Sequence, residues 1–336
     1  MAHLTDRTGA TLSAYRVSAM PYAGSNRWAH PSVILVATDL SDLDHLMPFA
    51  LQQAHRSAAR IILFHVLGAG AGIAADPVGM PYYDPAGAID FAIKTLEPWR
   101  IMARTQEILC DAVVREGHAA QQIIAAGRQF RADRLLLGTR SRSKVSKLLL
   151  GSVAEQVLRS VNLPVITVGP EAHLEVAGND SQRVVLHATT LRETSSPSAV
   201  LACEIAAAQN AKLVLLHVLP AVDEMQRDHL PTGLNSTAMR ELRILAAEIG
   251  ATERCCTQVD TVVAHGHPAI EILAASVDLG ADLIVLGATT RSIVHNLTHD
   301  RTVYRVLSHA RCPVMTLRDT EEHSAPLPPE HDTIHL

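Results

Sequence analysis

The chain has 336 residues, 48% of them apolar, and a formal net charge of −5. Two ordinary globular cores fit that length and apolar content, no apolar run is long enough to span a bilayer, and the N-terminus lacks the blocks of a secretory leader. The negative balance is concentrated in the tail, since residues 319–336 hold five acids and neither Lys nor Arg, and the rest shows no basic face suited to nucleic acid.

In chain order, residues 1–30 are polar and irregular and are expected to form a flexible arm. Apolar runs rich in Val, Ile and Leu at 33–38, 61–67, 110–114, 134–138 and 165–168 predict five strands buried on both faces, as in a parallel sheet. Helical periodicity fills the intervals at 46–58, 89–109, 119–130 and 153–161. Pro48 is expected in the first turn of its helix, and Pro98 should kink or interrupt the second one. The Gly-, Ala- and Pro-rich stretch 68–85 reads as a loop overhanging the carboxyl ends of the strands. Strands alternating with helices specify an open parallel α/β sheet with right-handed crossovers, whose ligand crevice lies where the strand order reverses.

The fourth strand runs into Gly138-Thr139-Arg140-Ser141, followed after nine residues by Gly151-Ser152 at a helix start. Glycines let backbone approach an anion closely, and the free N–H groups and dipole of a helix N-terminus attract phosphate. The spacing is neither that of a Walker A loop nor that of a G-x-G-x-x-G turn.

The chain also repeats itself. At an offset of 149, Asp133–Val168 lies over Asp282–Leu317 without a gap, with 12 identities in 36 positions. Val33–Leu40 similarly matches Val184–Leu191, and Gly117-His118 matches Gly266-His267. A period of this length fits two copies of a complete domain, at 31–170 and 183–318, joined by the polar linker 171–182. The tail from residue 319 is expected to be disordered.

These residues resemble the universal stress protein family, and the resemblance covers both repeats. The family's nucleotide motif, Gly-x-x-Gly, nine residues, then Gly-Ser/Thr, is matched by Gly138, Gly151 and Ser152, with Ser141 in place of the second glycine. Asp39, ending the first strand, and Val66, after the histidine of the second, match the family's adenosine contacts. The resemblance implies two tandem flavodoxin-like, adenine-nucleotide α-hydrolase-like domains, each with strand order 3-2-1-4-5. It also implies ATP, AMP or ADP bound in the first domain by Asp39, Val66, Gly138, Ser141, Gly151 and Ser152. Pairing of the domains through their fifth strands, 165–168 against 314–317, would give an intramolecular pseudo-dimer. A homodimer or a protein partner also fits the pattern.

In the second repeat Asp39 becomes Thr190, Ser141 becomes Thr290 and Gly151-Ser152 becomes Asp300-Arg301. A carboxylate at Asp300 opposes a phosphate by about 1–4 kcal/mol, so a degenerate, nucleotide-free second site is expected.

Five cysteines (Cys110, Cys203, Cys255, Cys256 and Cys312) form no C-x-x-C pair, which predicts reduced thiols and a cytoplasmic protein. The 18 histidines include His265-x-His267 and His295-x-x-x-His299. Cys255-Cys256 and the His265 pair sit at opposite ends of one predicted strand, so no metal site is expected. His65 and His217 recur at one strand position, which suggests a structural or pocket-lining role. No paired carboxylates or Ser-His-Asp set can be assigned. The function expected is a stress-response or signalling module acting by nucleotide occupancy. The alternatives are a ligand-free interaction scaffold and a slow ATPase.

Overall fold

The computed structural model describes residues 25–68, 73–75, 80–139, 150–172, 182–191, 197–220, 233–251, 258–289 and 301–319. Its first half contains α1 (Ser25–Ala29), β1 (Val33–Thr38), α2 (Leu43–Ser57), β2 (Arg60–Leu67), β3 (Ile73–Ala75), β4 (Pro81–Tyr83), α3 (Pro85–Thr105), β5 (Cys110–Glu116), α4 (Ala119–Gln129), β6 (Arg134–Gly138), α5 (Ser152–Ser160) and β7 (Val165–Val168). The second half contains β8 (Val184–Ala188), α6 (Pro197–Ala208), β9 (Lys212–Leu219), α7 (Leu234–Gly250), β10 (Val259–His265), α8 (Pro268–Asp278), β11 (Leu283–Thr289), α9 (Arg301–His309) and β12 (Val314–Asp319).

Ten strands form one sheet in the order β10-β9-β8-β11-β12-β7-β6-β1-β2-β5. Each half therefore has the order 3-2-1-4-5 of a flavodoxin-like sheet, and within a half all pairs of this ten-stranded sheet are parallel. The apolar runs become central strands because both faces of the sheet are covered. All six residues of β1 are buried, with Ile34 and Val36 in the core under α2 and α6, and Leu35 and Ala37 in the core under α4, α5, α8 and α9. Each fully buried Leu, Ile or Val contributes about 1.5–3 kcal/mol of transfer free energy.

The halves meet at β7 and β12, which are antiparallel, with Val165 opposite Thr316, Ile166 opposite Met315 and Thr167 opposite Val314. Residues 165, 166 and 167 are the repeat mates of 314, 315 and 316, so a pseudo-two-fold axis passes between Ile166 and Met315. Across it, the buried Thr167 hydroxyl donates to the Val314 carbonyl at 3.2 Å and the Thr316 hydroxyl to the Val165 carbonyl at 3.3 Å. Thr167→Val and Thr316→Val are each expected to lower stability by about 1 kcal/mol in urea denaturation. Variants as stable as the parent would show that these hydroxyls contribute nothing to the seam.

Several local expectations are corrected. The end of the supposed arm is helix α1, with Trp28 and Ala29 buried. Arg134, 1% exposed, holds it by donating to the Trp28 carbonyl and, at 2.6 Å, to Gln53 Oε1. Arg27 adds an ion pair with Asp133 at 3.3 Å. Helix α2 starts at Leu43, so Pro48 lies inside it and not in its first turn. Helix α3 runs through Pro98 from Pro85 to Thr105, because a proline costs one helical bond that burial of Ala92, Leu96 and Ala103 can offset. The stretch 68–85 includes a two-stranded antiparallel ribbon, β3 with β4. Cys203 is disulfide-bonded, whereas Cys110 and Cys312 are free and buried. Local spacing could not reveal the bridge, since every other cysteine is remote from Cys203 in the chain and a bridge needs only proximity in space.

Candidate functional site

The first half's strand order reverses at β1, which has β2 on one side and β6 on the other. The register pairs Ala37 with Leu137, so the ends of β1 and β6, Thr38-Asp39 and Gly138, lie side by side at the crevice.

The chain leaves β1 by a sharp turn. Leu40 takes a left-handed φ of 74°, and its N–H donates to the Thr38 hydroxyl at 2.9 Å. The Asp39 carboxylate accepts from the Ser41 backbone N–H at 2.9 Å and from its hydroxyl at 2.6 Å. His65, on β2, donates from Nδ1 to the Thr38 carbonyl at 2.9 Å. The second half repeats this brace, with Leu191 at φ 58°, its N–H on the Thr189 hydroxyl, and His217 Nδ1 donating to the Thr189 carbonyl at 2.9 Å. The two recurrent histidines thus tie the second strand to the end of the first.

Val66 follows His65, half-buried and packed on the core beneath α4 and α5. Gly138 ends β6, and Thr139 beyond it donates its N–H to the Val168 carbonyl at 3.2 Å. The buried Thr139 hydroxyl has no hydrogen-bond partner. Gly151 is the N-cap of α5, with extended φ −60° and ψ 141° and no side-chain cap. Its carbonyl takes the Glu155 N–H at 2.9 Å, and Ser152 is exposed. Among the described residues, the start of α5 therefore has no capping side chain. Of the sequence-predicted set, Asp39, Val66, Gly138, Gly151 and Ser152 have described positions, while Ser141 lies outside the described residues.

Asp42 is the residue that sequence reasoning missed. It is 7% exposed, and its Oδ1 accepts the Thr38 hydroxyl at 2.5 Å. Its Oδ2 presses on Gly138, where an added Cβ would stand 2.2 Å away. A side chain at position 138 would have to displace this carboxyl. Burial, with the adjacent Asp39 charge as a lesser cause, raises the Asp42 pKa from 3.8 to about 6, although the Thr38 hydroxyl works against this. Asp42 is the N-cap of α2, but no capping bond forms; the side chain turns instead toward β6.

In the second half, Gly287 lies within β11 at the place of Gly138, and Thr190 stands for Asp39. Thr290 and Asp300 lie outside the described residues, as do Cys255, Cys256, His295 and His299. Among the described residues no three His, Cys, Asp or Glu side chains converge, and no helix is long and apolar enough to cross a membrane.

Comparison with known proteins agrees with this architecture. A solved universal stress protein of Archaeoglobus fulgidus superposes with a TM-score of 0.62 at 20% identity, covering 88% of this chain and 99% of that one. A Pseudomonas aeruginosa protein of unknown function gives 0.57 at 17% identity, covering 88% and 95%. At these identities the likeness is one of fold. In sequence, a universal stress protein of Methanocaldococcus jannaschii is 31% identical over 75 residues, which is 22% of this chain and 40% of the relative. The Bacillus subtilis stress response protein NhaX is 32% identical over 69 residues, 20% of this chain and 42% of the relative. The chain thus matches less than half the length of those two. A Thermus aquaticus universal stress protein is matched over 96% of its length at 29% identity, by 40% of this chain. The model of the universal stress protein family matches residues 32–169 and again 182–318. With its two matched halves joined strand to strand in one sheet, this chain belongs to the universal stress protein family.

Proposed function

We propose that the first domain binds an adenine nucleotide, ATP, AMP or ADP, and that the protein works as a stress-response module through occupancy of that site. The observation that carries this reading is the crevice at the reversal of strand order, where Asp39 and Gly138 end adjacent strands and the next helix begins at Gly151 without a capping side chain. Asp39 and Val66 would take the adenosine end. Gly138, Ser141, Gly151, Ser152 and the first N–H groups of α5 would take the phosphates. Fast phosphoryl transfer also needs cationic groups and a carboxylate-held metal aimed at the transition state. The crevice residues assigned here hold a ground state, so any turnover should be slow.

Gly151→Asp, copying the Asp300 of the second repeat, places a carboxylate where phosphate would sit. Calorimetric titration with ATP is expected to show affinity reduced by at least tenfold in a folded variant. Unchanged affinity would sink the assignment. Small molecules released from the natively purified protein should include about one equivalent of adenine nucleotide; two would contradict a degenerate second site.

A further inference from the structure

Asp42 has no part in the nucleotide reading above, and its side chain does not cap the helix it starts. A carboxylate at a helix N-cap usually accepts an N–H from the first turn of its own helix; this one makes no such bond and is met instead by the Thr38 hydroxyl and by the backbone N–H groups of Asp39 and Asp42. It is buried against Gly138, the last residue of β6, with a second carboxylate, Asp39, just past the end of β1. Holding an ionised carboxyl there opposes both Asp39 and any anion placed over Gly138. We propose that Asp42 makes occupancy of the crevice proton-linked: the crevice accepts an anionic nucleotide when this carboxyl is protonated and resists it when the carboxyl is ionised. The proposal rests on the nucleotide reading and adds its regulation.

The surroundings of Asp42 support a change of charge at this one position. From the end of β1 it meets the Asp39 charge, which disfavours its ionisation, and the Thr38 hydroxyl, which favours it, as do the backbone N–H groups of Asp42 and Asp39. β6 and the turn after it bring Gly138 and Thr139, neither charged. On α2, His45 is engaged elsewhere, its Nε2 donating to the Gly169 carbonyl at 2.7 Å, and Asp44 adds only negative charge to the first turn. From β2, His65 is directed to the Thr38 carbonyl. None of these described groups supplies a cation to Asp42. Its pKa of about 6 puts the transition near neutral pH. A bound phosphate would raise it further, and by linkage nucleotide affinity must then fall as pH rises.

The test is calorimetric titration of the intact chain with AMP from about pH 5.5 to about pH 8 at constant ionic strength, in parallel with Asp42→Asn. The ligand phosphate titrates in the same range, but it is common to both proteins, so their difference isolates Asp42. Wild-type affinity is expected to fall about tenfold more than that of Asp42→Asn over this interval. Thr38→Val, which removes the hydroxyl bond favouring the carboxylate, should move the midpoint of the wild-type profile to higher pH, and it decides the matter if Asp42→Asn does not fold. Parallel profiles for wild type and Asp42→Asn, or an unmoved midpoint in Thr38→Val, overturn the proton linkage while leaving nucleotide binding standing. Absence of AMP and ATP binding at every pH overturns both.

Discussion

Residues 1–172 and 182–336, produced as separate chains, are expected to self-associate, and to recombine into a heterodimer when mixed. In the intact chain all four residues of β7 are buried, between β6 on one side and β12 on the other. Cutting the linker leaves β7 or β12 as an open edge with unpaired backbone groups and exposed apolar side chains such as Ile166 or Met315. Such an edge pairs with whatever complementary strand is available. Because the register is symmetric about Ile166 and Met315, each half offers an edge that also fits a second copy of itself. Both cores run across the seam as well, with Ala199 and Leu201 of the second half sharing a cluster with Trp28 and Leu46 of the first. Equilibrium sedimentation should therefore find dimers or larger species for each half. The intact chain, whose edge is already used, need not dimerise by this route. Two monomeric halves that ignore each other would refute the account.

Asp42→Asn is expected to raise stability near pH 8 by about 2–3 kcal/mol while changing little near pH 4, and His187 should act in the opposite direction. The folded Asp42 pKa of about 6 lies above its ordinary 3.8. The native state therefore holds this proton more tightly than the unfolded chain. Its contribution is fully present below about 3.8 and is lost as pH rises through about 6. His187, on β8, is fully enclosed, and burial lowers its pKa from 6.5 to about 4, although its Nδ1 donates to the Val285 carbonyl at 3.0 Å. Its Nε2 has no partner, so protonation would put an uncompensated charge into the core. Here the unfolded state binds the proton more tightly. Stability is full above about 6.5 and falls by about 3 kcal/mol as pH drops to about 4. The first repeat has Val36 at this position, so His187→Val is the natural comparison. Urea denaturation between about pH 4 and about pH 6.5, where both groups change charge, should show stability rising less steeply with pH in His187→Val and more steeply in Asp42→Asn than in the parent. The slopes decide, since the smaller valine side chain also leaves a cavity of its own. Unaltered slopes would mean that neither group titrates as its burial implies.

The sequence by itself determined the architecture, because the signals involved are local and periodic. Short continuous Val, Ile and Leu runs alternating with helical stretches read as strands covered on both faces, as all of β1 is. The repeat mates Pro164-Val165 and Pro313-Val314 marked two equivalent last strands that now form the seam. Asp39, Gly138 and Gly151 were recognisable because strand ends and helix starts carry the crevice in any sheet of this order. Tertiary structure alone decided what depends on side chains distant in the chain. Nothing near Asp42 in sequence announces Gly138, ninety-six positions later, yet the carboxyl packs against that glycine, and burial raises its pKa. Trp28 looked like part of a polar arm until Arg134, on a strand of the core, supplied the donor for its carbonyl. The bridge at Cys203 and the enclosure of His187 belong to the same class. Periodicity reports which face of an element is buried, whereas the partner waiting there, and hence the charge a buried group can hold, is set by how separate elements pack.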